Sequence, residues 1–403
     1  MPMNELRKIR AKSGTNQEGT SAHNRRVLIE AIRLNGPLSR ADLARATRLT
    51  KQTVSNLIES LEADGLVASQ AVVRGARGQP STPYGLVPEG AFALGVQIDR
   101  ELARVVAVDL LGRESARAVA NLPPGDPAGG SRVILNLVDT VRGELAARIP
   151  ASVHRLTGLG VAMPGPFGLE PPDDDRWMMG KWQTFPLLET LAAGTGLETS
   201  LQNDASACAT AERMGGAADG LDHVVCLYLG YGIGAGLILG GELYSGSNRN
   251  AGELGMVLFS RGGSVQPLEH RASLASLFQS LGLDSATTDA YDAVERLAAQ
   301  DDPRIRAWLA GAAADFRQAV HMVETLFDPQ TVILTGSAPQ PLALRLFEAI
   351  FPLLPSNAER PGRALPRLQL GTMDPWAVAL GAAAEPIRRT FDPLFAAILK
   401  EAS

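Results

Sequence analysis

From Phe92 to the C-terminus, one order of patterns is spelled out twice: three short apolar strands, a helical stretch, a strand and a helix. In the first pass FALGVQID, ARVVAVDL and ESARAVANL read as strands, with Gly112 turning between the last two. A long amphipathic helix follows over about residues 130–148, then the strand LTGLGVAMPG, the helix FPLLETLAAGTG, the strand SLQN and the helix DASACATAERMGG. The second pass opens with HVVCLYLG, GAGLILG and GELYSG and reads as helical segments through about residue 327. The strand TVILTG, the helix PLALRLFEAIFPLL, the strand RLQLG and a last helix from about Pro375 close it. A repeated order of this kind predicts two similar α/β lobes facing a cleft, with ligands at the carboxyl ends of the strands.

At 403 residues the chain is too long for a single core, so a smaller unit is expected ahead of the repeat. Charge marks it. The net charge is −5, yet residues 1–90 hold 13 Lys and Arg against 8 Asp and Glu, a balance of +5, and the remainder balances at −10. A basic head on an acidic body suits a DNA-contacting module joined to something else.

In NRRVLIEAIRLN, residues 24–35, Val27, Leu28, Ala31, Ile32 and Leu34 share one side of a helix that Gly36-Pro37 stops. Ser39 reads as the N-cap of a short second helix, with Asp42 three residues on and Leu43 and Ala44 facing inward. After a tight turn at Arg48-Leu49, Thr50 caps a third helix that buries Val54, Leu57, Ile58 and Leu61 and ends at Gly65. These are the proportions of a helix-turn-helix. The outer face of the third helix carries Lys51, Gln52, Thr53, Ser55 and Asn56, with acids only from Glu59 onward. Gln52 and Asn56 suit an adenine edge, and Lys51 a guanine or a phosphate. Beyond Gly65, two β-like runs flank the tip RGARGQP, a wing whose Arg74, Arg77 and Gln79 would lie in a minor groove or along phosphates. Ser39, Arg40 and Thr50 complete the predicted DNA contacts. A plain three-helix bundle with a solvated polar face is the alternative.

The apolar runs break within about a dozen residues, too soon for a membrane span. The polar N-terminus offers no secretory signal, so a cytoplasmic location is expected. Cys208 and Cys226 cannot form a metal cluster alone and read as core residues.

Four segments carry a resemblance: QNDASACATAERMGGA (202–217), LGYGIGAGLILGGELYSGSNRNAGELG (229–255), VAMPGP (161–166) and DPQTVILTGS (328–337). With them the chain resembles the ROK family of repressors, open reading frames and sugar kinases, in its repressor branch with an N-terminal winged helix-turn-helix. The resemblance implies an α/β fold, a duplicated βββαβα, actin-like or ribonuclease-H-like two-lobed sugar-kinase fold. Expected domains are 20–90 for the head, 91–205 for the first lobe and 206–403 for the second, with the last helix free to pack back on the first lobe.

Kinase members of that family carry a phosphate loop after the first strand, commonly Asp-x-Gly-Gly-Thr. Here Asp99 stands, but Arg100, Glu101, Leu102 and Ala103 follow, without the glycines that let backbone N–H groups approach phosphate. The second Gly-rich loop persists as Gly230, Gly232, Gly234 and Gly236, and the sugar-side carboxylate of the kinases matches Asp204. Many members also hold zinc; the corresponding GELGMVLFSRGGSVQPLEHRAS has no cysteine, and Met256 takes the place of the usual His, so no metal and no cofactor are expected. Asn203, Asp204, Glu253 and Glu269 remain as the expected sugar contacts. Capping is the alternative role for Asn203 and Asp204. His270 reads as a surface residue, and Trp182 and Phe185 as core rather than rim.

The expectation is a non-enzymatic transcriptional regulator of carbohydrate metabolism, a repressor acting as a homodimer or tetramer on a palindromic double-stranded operator, with a small sugar or derivative as effector. The alternatives are a sugar kinase with an added head and a regulator whose cleft is vestigial.

Overall fold

A computed structural model describes residues 17–71, 82–168, 179–283 and 288–393. In the head, α1 (Gln17–Asn35) buries Val27, Leu28, Ile29, Ala31 and Ile32, while Leu34 is only half-buried. A two-residue strand, β1 (Leu38–Ser39), leads into α2 (Arg40–Thr47), where Ser39 and Asp42 form a reciprocal capping box. Arg48 then takes a left-handed conformation, φ 60°, and Thr50 caps α3 (Lys51–Ala63) by accepting from the Thr53 N–H. β2 (Val67–Ser69) and β3 (Pro83–Leu86) run antiparallel as the wing, and β1 pairs with β3, placing Leu38 opposite Tyr84. That third strand has no periodicity to reveal it, being two residues long. The wing tip, with Arg74, Arg77 and Gln79, lies outside the described residues.

β4 (Phe92–Ile98), β5 (Leu102–Asp109) and β6 (Glu114–Asn121) form an antiparallel meander. α4 (Pro127–Arg148) starts a few residues earlier than its periodicity suggests, because Asp126 caps it and Pro127 takes the first turn. β7 (Leu156–Ala162), α5 (Gly180–Thr184), α6 (Leu187–Thr195) and β8 (Thr199–Gln202) complete a five-stranded sheet of order β6-β5-β4-β7-β8. α4 and α6 cover its outer face, with Trp182 of α5 fully buried there and Phe185 packed beside it.

α7 (Asp204–Gly215) crosses to the second lobe, which opens with β9 (Val224–Leu229), β10 (Ile233–Leu239) and β11 (Glu242–Leu243). Next come a hairpin, β12 (Leu258–Arg261) with β13 (Ser264–Pro267), and the helices α8 (Glu269–Ala272), α9 (Leu274–Leu281), α10 (Thr288–Ala299) and α11 (Pro303–Phe327). The hairpin replaces what reads as the start of a helical run. Gly262 and Gly263, both at positive φ, supply its two-residue turn. β14 (Thr331–Gly336), α12 (Gln340–Ile350), β15 (Leu368–Met373) and α13 (Ala377–Phe391) finish the chain. α12 stops at Ile350 rather than at Leu354, since Pro352 lacks an N–H and disfavours helix at the residue before it. The second sheet has order β11-β10-β9-β14-β15, the same succession as the first, with the same parallel and antiparallel pairings.

α7 and α13 lie between the two sheets, and glycine and alanine set their spacing. A Cβ on Gly95 of β4 would strike the Ala379 carbonyl oxygen of α13, and one on Gly160 of β7 the Ala382 carbonyl oxygen. On α13 itself Gly381 faces the Ala207 carbonyl of α7, and on β10 Gly236 faces the Ala205 carbonyl. Backbone meets backbone at all four points. The head is seated on this assembly by a shared apolar cluster: Leu28, Ile58 and Val67 pack in one group with Ala93, Val106, Ala383 and Ile387. Among the described residues no helix is long and apolar enough to cross a membrane.

Helix propensity alone favours Gly→Ala by up to about 1 kcal/mol. Gly143→Ala, on the exposed face of α4 with nothing near its Cβ position, should therefore raise the urea midpoint. Gly381→Ala should lower it, by about 1–3 kcal/mol of unfolding free energy, because overpacking outweighs propensity. Equal shifts of the same sign would contradict the close approach.

Candidate nucleic-acid interface and ligand cleft

α3 divides cleanly. Val54, Leu57, Ile58 and Leu61 are buried, while Lys51, Gln52 and Asn56 are exposed and Thr53 and Ser55 half-buried on the other side. Gln52 Nε2 donates to Asn56 Oδ1 at 2.8 Å, one helical turn on, so the two amides are held side by side. Thr50 and Thr53 join hydroxyls at 2.8 Å. Arg40 is half-buried, its guanidinium above the Tyr84 ring of the wing and 3.9 Å from Glu59. Ser39 stands apart from the predicted contacts: it is buried, and its hydroxyl is 2.6 Å from the Asp42 carboxylate, so its side chain serves the cap rather than the surface.

Between the lobes a cavity of about 260 Å³ brings together Asn203, Asp204, Glu253 and Glu269 from separate segments. Asn203 caps α7 by accepting from the Ser206 N–H at 2.7 Å, and its amide also donates to Glu253 at 3.4 Å. The capping role and a place in the cavity are thus both real for this residue. Asp204 opens α7 at the floor, and its Oδ1 is buried without a hydrogen-bond partner. Glu269 starts α8, which Arg271 anchors by a two-pronged contact, at 3.0 and 3.2 Å, with the fully buried Asp315 of α11. Arg261 of the β12–β13 hairpin reaches the same carboxylate at 3.3 Å. Met256 sits exposed at the mouth, and His270 is on the surface.

Three of the acids around this cavity have a raised proton affinity, with burial the largest cause in each. Burial pushes the Asp204 carboxyl well above the usual range, and Asp99 and Glu253 push the same way against the pull of Arg100. Burial also raises Glu253, opposed by the Asn203 amide. Glu269 is pushed up to about 7 by burial and by Glu253, against a hydrogen bond from the Ile233 N–H.

On the far side of Asp99 and Arg100 lies a second cavity, of about 340 Å³, lined by Glu101, Arg104, Tyr291, Asp292 and Glu295. The β4–β5 turn separates the two. Two of its N–H groups are already used: Asp99 N–H donates to the Leu102 carbonyl at 2.9 Å, and Arg100 N–H donates to the Asp99 carboxylate at 2.8 Å. The Arg100 guanidinium is buried over the Tyr231 ring, beside Asp99 at 3.4 Å. The sequence reading missed Tyr231 and Tyr228, which line the cleft, although both belong to the YLGYG run before the Gly-rich loop. Cys208 and Cys226 are buried free thiols, and no cluster of three or more metal-ligating side chains occurs among the described residues.

A model of the ROK family matches residues 132–359, and one of the MarR family matches residues 26–78. The xylose repressor of Bacillus subtilis is 23% identical over 236 residues, 58% of this chain and 59% of that protein. The crystal structure of a ROK family transcriptional regulator, a homologue of the E. coli MLC protein, superimposes with a TM-score of 0.68 at 19% identity, covering 95% of this chain and all of that one. The ROK hexokinase from Thermus thermophilus superimposes at 0.54, with 24% identity, over 73% of this chain and 97% of its own.

Glu269 carries a pH signature. Folded, it holds its proton to about pH 7, whereas its ordinary value is 4.5, so the folded state binds more protons between these values. The stability this confers is complete below pH 4.5 and is lost as pH rises through 7. Glu269→Gln should flatten the fall in melting temperature between pH 5 and 8, removing a term of at most about 3 kcal/mol. An unchanged slope would mean that the carboxylate is hydrated in the cleft.

Proposed function

The chain belongs to the ROK family, and we propose that it is a DNA-binding transcriptional repressor whose hold on its operator is set by a small sugar or sugar derivative in the interlobe cleft. One observation carries this reading: α3 exposes a short-chained polar face at its N-terminal turns while its other face forms the head's core. The MarR-type match over residues 26–78 and the likeness to a xylose repressor support it.

In this reading Lys51, Gln52, Thr53, Ser55 and Asn56 enter the major groove, with Arg40 and Thr50 beside the backbone and the wing residues Arg74, Arg77 and Gln79 alongside. The paired amides of Gln52 and Asn56 present a donor and an acceptor to an adenine edge. The head works in pairs, because a palindromic operator needs two reading helices about one helical turn apart.

The sugar's hydroxyls meet Asn203, Asp204, Glu253 and Glu269. A protonated Asp204 both donates and accepts, which suits a hydroxyl. α7 then links the two sites. It begins at Asp204 and runs about 18 Å to Gly215. Just beyond, Asp219 accepts from Arg33 of α1 at 2.9 Å, and Arg33 is held in turn by Glu30. Sugar and operator influence each other to the extent that each binds one placement of α7 better than another.

A sugar kinase is the second reading, favoured by the retained Asp204 and Gly230–Gly236. The β4–β5 turn argues against it, since the Asp99 and Arg100 N–H groups bond within the turn and Arg100 lines both cavities.

Selection of operator DNA followed by fluorescence anisotropy tests the proposal. Gln52→Ala and Asn56→Ala should each cost about 1–3 kcal/mol on the selected site and little on random DNA. Lys51→Ala should weaken both and lower the salt slope by about one. Asp204→Ala should keep operator binding and lose the effect of sugar. ATP-dependent phosphorylation of a hexose, or no selected site at all, would overturn this reading.

A further inference from the structure

A further cavity flanks the cleft on the opposite side of Asn203, which contributes to the walls of both. It measures about 450 Å³ and is enclosed by β8, the start of α7, α13 and the loop after β11. Its polar groups are poorly satisfied. Ser200 Oγ and Gln202 Oε1 on β8, and Glu385 Oε2 and Arg388 Nε on α13, are buried without a hydrogen-bond partner. They are four of the nine such atoms among the described side chains, gathered at one place from two elements nearly two hundred residues apart. A fifth, Asp204 Oδ1, belongs to the sugar cleft, so the same signature already marks one candidate ligand site.

Leaving a buried polar atom unmatched costs about 1–3 kcal/mol, and native chains seldom leave several together without an occupant. Ion pairs hold the charged members in place but do not satisfy these atoms: Arg388 stands 3.8 Å from Glu385, and Arg389 bonds the other Glu385 oxygen at 3.3 Å. The hydroxyl, amide oxygen, carboxylate and guanidinium of these lining side chains form a mixed donor and acceptor set, matched to a row of hydroxyls.

The rim adds charge. Arg249 lines the cavity, is exposed, has no hydrogen bond or ion pair among the described residues, and sits at φ 62°, a conformation in which residues other than glycine are uncommon. The lining holds three arginines, Arg249, Arg388 and Arg389, against the two glutamates Glu242 and Glu385. The surplus positive charge is Arg249, whose fork suits a phosphate.

We propose that this cavity is a second effector site, taking a phosphorylated sugar or polyol with its hydroxyls against Ser200, Gln202 and Glu385 and its phosphate on Arg249. It is separate from the cleft site and needs no DNA to be tested.

The test is thermal shift and calorimetry on the full chain with pentose, hexose and polyol phosphates, each beside its unphosphorylated parent and inorganic phosphate. At least one phosphorylated compound should stabilise both the wild type and Asp204→Ala. Arg249→Ala, at an exposed position that leaves the fold intact, should weaken it about tenfold or more. Gln202→Glu should weaken it too, by placing a second carboxylate at the floor. Three results would overturn the proposal: no phosphorylated compound binds; inorganic phosphate alone reproduces the whole shift, an adventitious ion only; or binding vanishes in Asp204→Ala and survives in Arg249→Ala, which places the ligand in the cleft. None of these readouts depends on operator recognition, so failure of the repressor reading is scored separately.

Discussion

Everything in the body is spaced by the contact of helix backbone with sheet backbone at Gly95, Gly160, Gly236 and Gly381. With nothing larger than alanine methyls at these glycines, α7 and α13 sit close to the flanking sheets, and the lobes are joined through two thin, alanine-rich helices. Dense packing of this kind resists small adjustments. It also fixes the depth of Asp204, because the first residue of α7 can sit no nearer to water than the helix behind it permits. The burial that raises its proton affinity is therefore a by-product of how the lobes are joined.

The other end of α7 is fixed by a different device. Glu212, fully buried, accepts from the Thr335 hydroxyl at 2.9 Å, the Thr372 N–H at 2.5 Å and the Ala217 N–H at 2.8 Å, tying the helix to β14 and β15. A buried carboxylate with three donors holds its position firmly. α7 is thus pinned to the second sheet at its C-terminal turn, while its N-terminal turn faces the cleft. Across that cleft the Asn250 side chain exchanges two hydrogen bonds with the Phe167 backbone, at 2.7 and 2.8 Å, so the loops of the two lobes already touch.

Much of this was legible in the chain. The doubled strand-and-helix order announced two like sheets, and the caps at Ser39 and Thr50 gave the helices of the head, since both signals are local and periodic. Asn203 and Asp204 were legible as cap or cleft residues because they sit where a strand gives way to a helix. Ser39 was read both as a cap and as a DNA contact because one residue type serves both, and its burial in the capping box is not visible in the pattern. The β12–β13 hairpin was hidden by apolar residues too sparse to alternate, although Gly262-Gly263 marked its turn. The cavity behind Asn203 left no trace in the pattern: Gln202 and Glu385 meet only because α13 returns to the first sheet.

The common apolar cluster of head and body has a mechanical meaning. Ile58 of α3 rests in one continuous core with Val106 of the first sheet and Ala383 of α13. A module hung from a slack tether averages away any motion of what carries it. This one is welded to its mount, so a tilt of the first sheet by a few degrees is inherited in full by the helix and grows along the lever to its tip. Small rearrangements deep in the body are thereby magnified at the exposed polar face of α3.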